Sequence, residues 1–94
     1  MVIKEEAVVD MQQAYDYYEE NRTGLGQRFL DTLDDYFERI QQYPLHHQIK
    51  RKPYREAVIK DFPYLIIYEI EQQNIVVYAI FNTWRNPEKK PIKI

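Results

Sequence analysis

Between residues 6 and 20 the apolar residues Ala7, Met11, Ala14, Tyr15 and Tyr18 recur at a spacing that places them on one face of a helix. Glu5 and Glu6 stand where the positive end of a helix dipole favours acids. The run Asn21-Arg22-Thr23-Gly24 then breaks the pattern, with Gly24 free to take positive φ just past the helix. A second stripe follows, in which Leu25, Phe29, Leu33, Phe37 and Ile40 step by four, four, four and three, and Leu30 and Tyr36 widen it. Pro44 ends this helix, because proline lacks the amide hydrogen and clashes with the preceding turn. Two amphipathic helices joined by a short loop are expected to pair as an antiparallel hairpin.

The second half of the chain changes period. Residues 54–62, 64–71 and 75–81 are rich in β-branched and aromatic side chains, which suit a pleated surface. Gln72-Gln73-Asn74 leaves a hairpin-length gap between the last two runs. Both of these last runs are apolar on alternate residues and nearly so on the others (Ile66, Tyr68 and Ile70 against Leu65 and Ile67), so both strands are expected to be central, with one face under the helices and the other partly covered. Pro53 fits only at a strand edge or start. Residues 1–4 read as a short strand. Residues 83–94, with Pro87, Pro91 and three lysines, read as irregular or as an edge extension. Helices followed by strands predict an α+β fold: one domain over residues 1–94, with a short N-terminal strand and a helical hairpin packed on a three- to four-stranded antiparallel sheet.

Composition narrows the chemistry. Hydrophobic residues make up 45% of the 94 and charged residues 30%, a folding mixture and not a disordered one. There is no cysteine, so neither a disulfide framework nor a thiolate zinc site is expected. The first six residues carry one basic side chain and no long apolar run, and no stretch approaches the roughly 20 apolar residues of a membrane span. The expected location is the cytoplasm. The net charge of −2 conceals an asymmetry: residues 1–44 hold four basic against ten acidic side chains, and residues 45–94 hold nine against five. Clustered cations in one half can attract a polyanion, or the charges can simply solvate each half.

The order of parts and several short strings resemble the RelE/ParE toxin superfamily. The strings are Ala14-Tyr15-Asp16-Tyr17-Tyr18-Glu19, then Gly24-Leu25-Gly26 followed by Phe29 and Leu33, then residues 40–44 and Tyr54-Arg55. They continue with Phe62-Pro63-Tyr64, Ile67-Tyr68, Ile80-Phe81-Asn82-Thr83 and Arg85-Asn86-Pro87, so the resemblance spans roughly residues 1–90. The pattern is most similar to the ParE-like branch, whose members are often described as plasmid stabilisation proteins. The resemblance implies the toxin of a type II toxin–antitoxin system, neutralised by a cognate antitoxin and inhibiting DNA gyrase. The same superfamily contains RelE-like ribosome-dependent mRNA endonucleases, and a member keeping only the fold and antitoxin binding is a third reading.

Metal-free RNA cleavage needs a base for the 2′-hydroxyl, a cation for the phosphorane and an acid for the leaving oxygen. The resemblance implies that a nuclease would carry an arginine just before the tyrosine of the third strand and a histidine or tyrosine near the C-terminus. Here Tyr64-Leu65-Ile66-Ile67 precedes Tyr68, and Phe81-Asn82-Thr83-Trp84 stands near the end, with Asn82 where many ParE-like chains have histidine. Lys50, Arg51, Lys52, Arg55 and Arg85 remain as phosphate-stabilising candidates, with Lys50, Lys52, Arg55 and Arg85 the catalytic set if the chain is a ribonuclease. The favoured reading is a protein-binding inhibitor and not an enzyme, with Tyr64, Tyr68, Asn82, Trp84, Arg85, Asn86 and Pro87 as partner-binding residues and with no cofactor or metal. Bland alternatives stand beside these: Arg55 pairing a helix carboxylate, Arg85 bracing the tail and Trp84 as a lid on the core. His46 and His47 are read as solvated loop residues, because no acid stands at ligand spacing.

Overall fold

The structure, a computed structural model, describes residues 1–84. Helix α1 runs Glu5–Asn21 and α2 runs Leu25–Gln42, within two residues of the boundaries that the apolar stripes predict. Glu5 and Glu6 occupy the first turn of α1, but the first turn of α2 holds no acid. Its exposed amides are served from the other helix: Glu19 Oε2 accepts from the Gly24 N–H at 2.9 Å and Glu19 Oε1 from the Gly26 N–H at 3.0 Å. Gly24 has φ +90° and is the N-cap of α2, whereas α1 ends on Arg22 in extended backbone. The helix-ending role expected of this glycine is therefore a helix-starting one. Gly26 lets the helices touch, since a Cβ there would lie 2.7 Å from the Tyr15 carbonyl oxygen. Helix α2 stops before Tyr43, the residue whose helical conformation Pro44 disfavours.

The sheet has five strands, not three to four, and it is mixed, not wholly antiparallel. They are β1 (Val2–Ile3), β2 (Ile49–Arg51), β3 (Tyr54–Val58), β4 (Tyr64–Glu71) and β5 (Asn74–Asn82), in the order β1-β5-β4-β3-β2. Strand β1 pairs parallel to β5 at Val76 and Val77, and the other pairs are antiparallel. A chain reversal through two helices returns β1 alongside the last strand, a relation that local alternation cannot reveal. Strand β2 escaped prediction because its three residues are all exposed, two of them are cations, and Pro53 follows only one residue after it, beyond Lys52. Strand β3 is shorter than the run 54–62 because Asp61 takes φ 74° in a turn that the Ile59 N–H closes on the Tyr64 carbonyl at 3.1 Å. Gln72 and Gln73, at φ 49° and 69°, form the two-residue turn between β4 and β5. Tyr68 pairs with Val77 and Ile67 with Ala79, which leaves Tyr78 as the extra residue of a β-bulge.

Both helices cover one sheet face. Ala7 and Ala14 from α1 and Phe29, Leu33, Phe37 and Ile40 from α2 pack with Ile66, Tyr68, Val77 and Ile80. Full burial of one such large side chain contributes about 1.5–3 kcal/mol. Strand β4 is central as expected, buried throughout residues 64–69. On the opposite face Leu65, Ile67 and Ala79 form a second buried cluster with Tyr54 and Phe81 at its rim.

Candidate functional site

The predicted partner-binding residues divide into buried supports and exposed contacts. Tyr68 is fully buried, and its hydroxyl donates to the Pro44 carbonyl at 2.9 Å, tying the loop after α2 to the sheet. Burial pushes its hydroxyl pKa up while the nearby Arg55 works against it, so the group remains a donor. Tyr64 is also buried, within 5.0 Å (centroid to centroid) of Phe29, and its hydroxyl accepts from Asn82 Nδ2 at 3.2 Å. Phe62 lies in the same aromatic cluster, 5.0 Å from Tyr18 and 5.1 Å from Phe29. The Phe62-Pro63-Tyr64 string therefore builds core, and the two predicted tyrosines offer little or no surface to a partner.

The end of β5 is different. Thr83 donates to the Pro63 carbonyl through its N–H at 2.8 Å and its hydroxyl at 3.1 Å. Asn82 Oδ1 accepts from the Trp84 N–H at 2.9 Å. These bonds fix the backbone while the Trp84 side chain is left 81% exposed, so it is a free aromatic surface and not a lid on the core. Asn82, half-buried, stands beside it. Arg85, Asn86 and Pro87 lie outside the described residues.

The basic candidates occupy the opposite side of the sheet. Lys50 and Arg51 on β2, and Lys52 in the turn after it, are exposed. Arg55 is half-buried on β3, and its Nη1 donates to the His47 carbonyl at 2.7 Å, not to a helix carboxylate. Arg55 pairs with Tyr68 whereas Asn82 pairs with Tyr64, so four residues of β4, roughly 13 Å of strand, separate the two groups along the sheet. They do not converge on one pocket. His47, expected in solvent, packs its ring perpendicular to that of Tyr68 at 6.3 Å. Burial, followed by His46 and Arg39, pulls its pKa below the ordinary histidine value, so the imidazole is neutral at pH 7.

Three further polar groups carry no obvious sequence signal except their placement. Asp10 falls among the apolar positions of α1, between Ala7 and Ala14, and its Oδ2 accepts from the Ile80 N–H at 3.0 Å. Burial raises its pKa, the Ile80 amide opposes that, and Glu6 adds to it. Glu69, buried on the outer face of β4, accepts from the Tyr78 hydroxyl at 2.6 Å. That bond, with burial, pushes the Tyr78 pKa up. Among the described residues no three His, Cys, Asp or Glu side chains are grouped to hold a metal ion, and no helix is long and apolar enough to cross a membrane.

Comparison with known proteins places this geometry. No curated protein matches the sequence. Among solved structures the chain is similar to one from the chromosomal ParDE TA system from P. aeruginosa, with a TM-score of 0.76 at 14% identity. That match covers 87% of this chain and 95% of the other. At so low an identity the likeness speaks for the fold alone. The family model described as ParE toxin of type II toxin-antitoxin system, parDE, matches residues 1–87. The chain belongs to the ParE toxin family.

Proposed function

We propose that this chain is the toxin of a type II, plasmid-stabilising toxin–antitoxin pair, inhibiting DNA gyrase in the cytoplasm by contact and released from restraint when its antitoxin is lost. The observation that carries this reading is the exposed Trp84 held by a bonded backbone at the end of β5. Large aromatic side chains that fill a partner's pocket dominate the energy of protein interfaces. A second support comes from the cationic side. The imidazole nearest Arg55 is turned against Tyr68, and the Arg55 guanidinium is bonded to backbone. Neither is presented as the acid or base that RNA cleavage without a metal requires.

The exposed Lys50, Arg51 and Lys52 favour a second reading, binding and cleavage of ribosome-bound mRNA. Measuring DNA and protein synthesis in the minutes after induction without antitoxin separates the two. Failure of replication first, together with inhibition of supercoiling by purified gyrase, supports the inhibitor. Failure of translation first supports the nuclease, and Arg55→Ala should then stop mRNA cleavage. Unimpaired growth at high expression would show a toxin fold that has lost its toxicity.

A further inference from the structure

Arg39 on α2, Lys50 and Arg51 on β2, Lys52 in the turn after it and Arg55 on β3 gather around the loop that follows α2. Two of them are held in place. The Arg55 guanidinium donates to the His47 carbonyl at 2.7 Å, and the Arg39 guanidinium lies over the Tyr36 ring, 4.3 Å from its centroid. Lys50, Arg51 and Lys52 follow one another along the chain and are all exposed. The other cations of the described residues, Lys4, Arg22, Arg28 and Lys60, are scattered over the rest of the fold.

The chain has 15 acidic side chains, yet among the described residues no carboxylate forms an ion pair with any of the five. The pair that does form joins Arg28 to Asp61, and Glu69, one strand further in, is committed to the Tyr78 hydroxyl. The field of the cluster is felt at His47, whose pKa is lowered by burial first and then by His46 and Arg39. Cations on an edge strand also guard it against pairing with another chain. That role accounts for Lys50 and Arg51 but not for Arg39 from α2 or Arg55 from β3. Unpaired cations drawn from three elements to one end of the molecule are the footprint of a polyanion.

The rings beside the cluster narrow the class of polyanion. Tyr54 is set edge-on to Tyr78 at 5.2 Å, His46 to His47 at 5.1 Å and His47 to Tyr68 at 6.3 Å. Tyr43 presents an exposed ring, but one ring is not the succession on which a single-strand groove stacks its bases. A duplex needs no such platform, because cations suffice to hold its backbone.

We propose that the β2 edge, with Arg39 and Arg55 beside it, binds the phosphate backbone of duplex DNA without reading its sequence. The choice of DNA rests on the gyrase reading, since gyrase works on duplex DNA, but the surface is separate from Trp84 and leaves that side chain free for a protein. With the exposed Arg39, Lys50, Arg51 and Lys52 each on a phosphate, log K should fall against log salt with a slope of about −3 to −4, roughly a hundredfold loss between about 50 and about 200 mM.

The test follows the fluorescence anisotropy of a short labelled duplex DNA titrated with the full chain at several salt concentrations, without gyrase, and repeats it with a second duplex of unrelated sequence and with a single-stranded RNA of equal length. Equal binding to both duplexes, that salt slope and weaker binding to the RNA are expected. Lys50→Gln with Lys52→Gln, both exposed, should weaken binding at least about tenfold and make the slope shallower by about two. Arg22→Gln with Lys60→Gln removes the same charge elsewhere and should leave the slope unchanged. Absence of binding, slopes altered alike by the two pairs of substitutions, or tighter binding to the RNA would overturn the proposal. Inhibition of supercoiling by purified gyrase is measured in parallel. Duplex binding that depends on Lys50 and Lys52 supports the proposal even without inhibition, in which case the gyrase reading alone fails; inhibition without duplex binding keeps that reading and sinks the proposal.

Discussion

Replacing Gly26 by alanine sets two effects of opposite sign against each other. Alanine is favoured over glycine inside a helix by up to about 1 kcal/mol, and by less in a first turn. Against this, the new Cβ would meet the Tyr15 carbonyl oxygen at 2.7 Å, Tyr15 Cδ2 at 2.8 Å and Glu19 Oε1 at 3.0 Å, where ordinary contact begins near 3.4 Å. The nearest of these is backbone and cannot swing aside. The helices must part by several tenths of an ångström, and Glu19 must loosen its bonds to Gly24 and Gly26. Overpacking of this kind costs typically about 1–3 kcal/mol, so a net destabilisation of about 1–2 kcal/mol is expected. For a domain of this size each kcal/mol lowers Tm by roughly 4–8 °C. Thermal and urea unfolding followed by circular dichroism measures it. Unchanged or raised stability would refute the close-approach argument and leave helix propensity as the ruling term.

Three other outcomes are expected. Gln72→Asn with Gln73→Gly, placed where both residues have positive φ, should raise stability by about 1 kcal/mol in urea unfolding. His47 has a folded pKa below the unfolded value, so the stability it confers is complete above the unfolded pKa and is lost as pH falls through the folded one. A His47→Gln variant should therefore show a flatter decline between neutral and mildly acidic pH, and an unchanged profile would place the titration elsewhere. Trp84→Ala should shift stability by no more than about 0.5 kcal/mol, because the side chain is exposed, yet it should abolish growth arrest. Retained toxicity would exclude Trp84 as the effector contact.

Both helices were legible because burial on α2 follows the apolar stripe closely: Phe29, Leu33, Phe37 and Ile40 are the buried side chains and also the periodic ones. The β4–β5 hairpin was legible for the same reason at period two. What local pattern cannot express is long-range pairing. Val2 and Ile3 find Val76 and Val77 more than 70 residues away, and three exposed residues form β2 because β3 offers an edge, not because they have strand character. The candidate site was legible as a set of residue types but not as a division of labour. Tyr64 and Tyr68 read as recognition residues because aromatic side chains serve interfaces and cores alike. Only the tertiary contacts decide, and here they decide for the core.

That division bears on specificity. The strings carrying the family resemblance are largely those that build the scaffold: Gly26 admits the close helix pair, Phe62 and Tyr64 fill the aromatic cluster, and Tyr68 ties down the loop after α2. A scaffold of this kind fixes where the rim residues stand but not what they bind. The rim of this chain is distinctive in three places: a cationic edge at β2, an acidic edge where Asp10 meets β5, and an aromatic contact at Trp84. Along β4 the residues paired with Arg55 and with Asn82 stand roughly 13 Å apart. One small ligand does not bridge such surfaces, but macromolecular partners can engage them separately. Removal of Trp84 and neutralisation of Lys50 and Lys52 should then act on different partners, each leaving the other partner's binding unchanged.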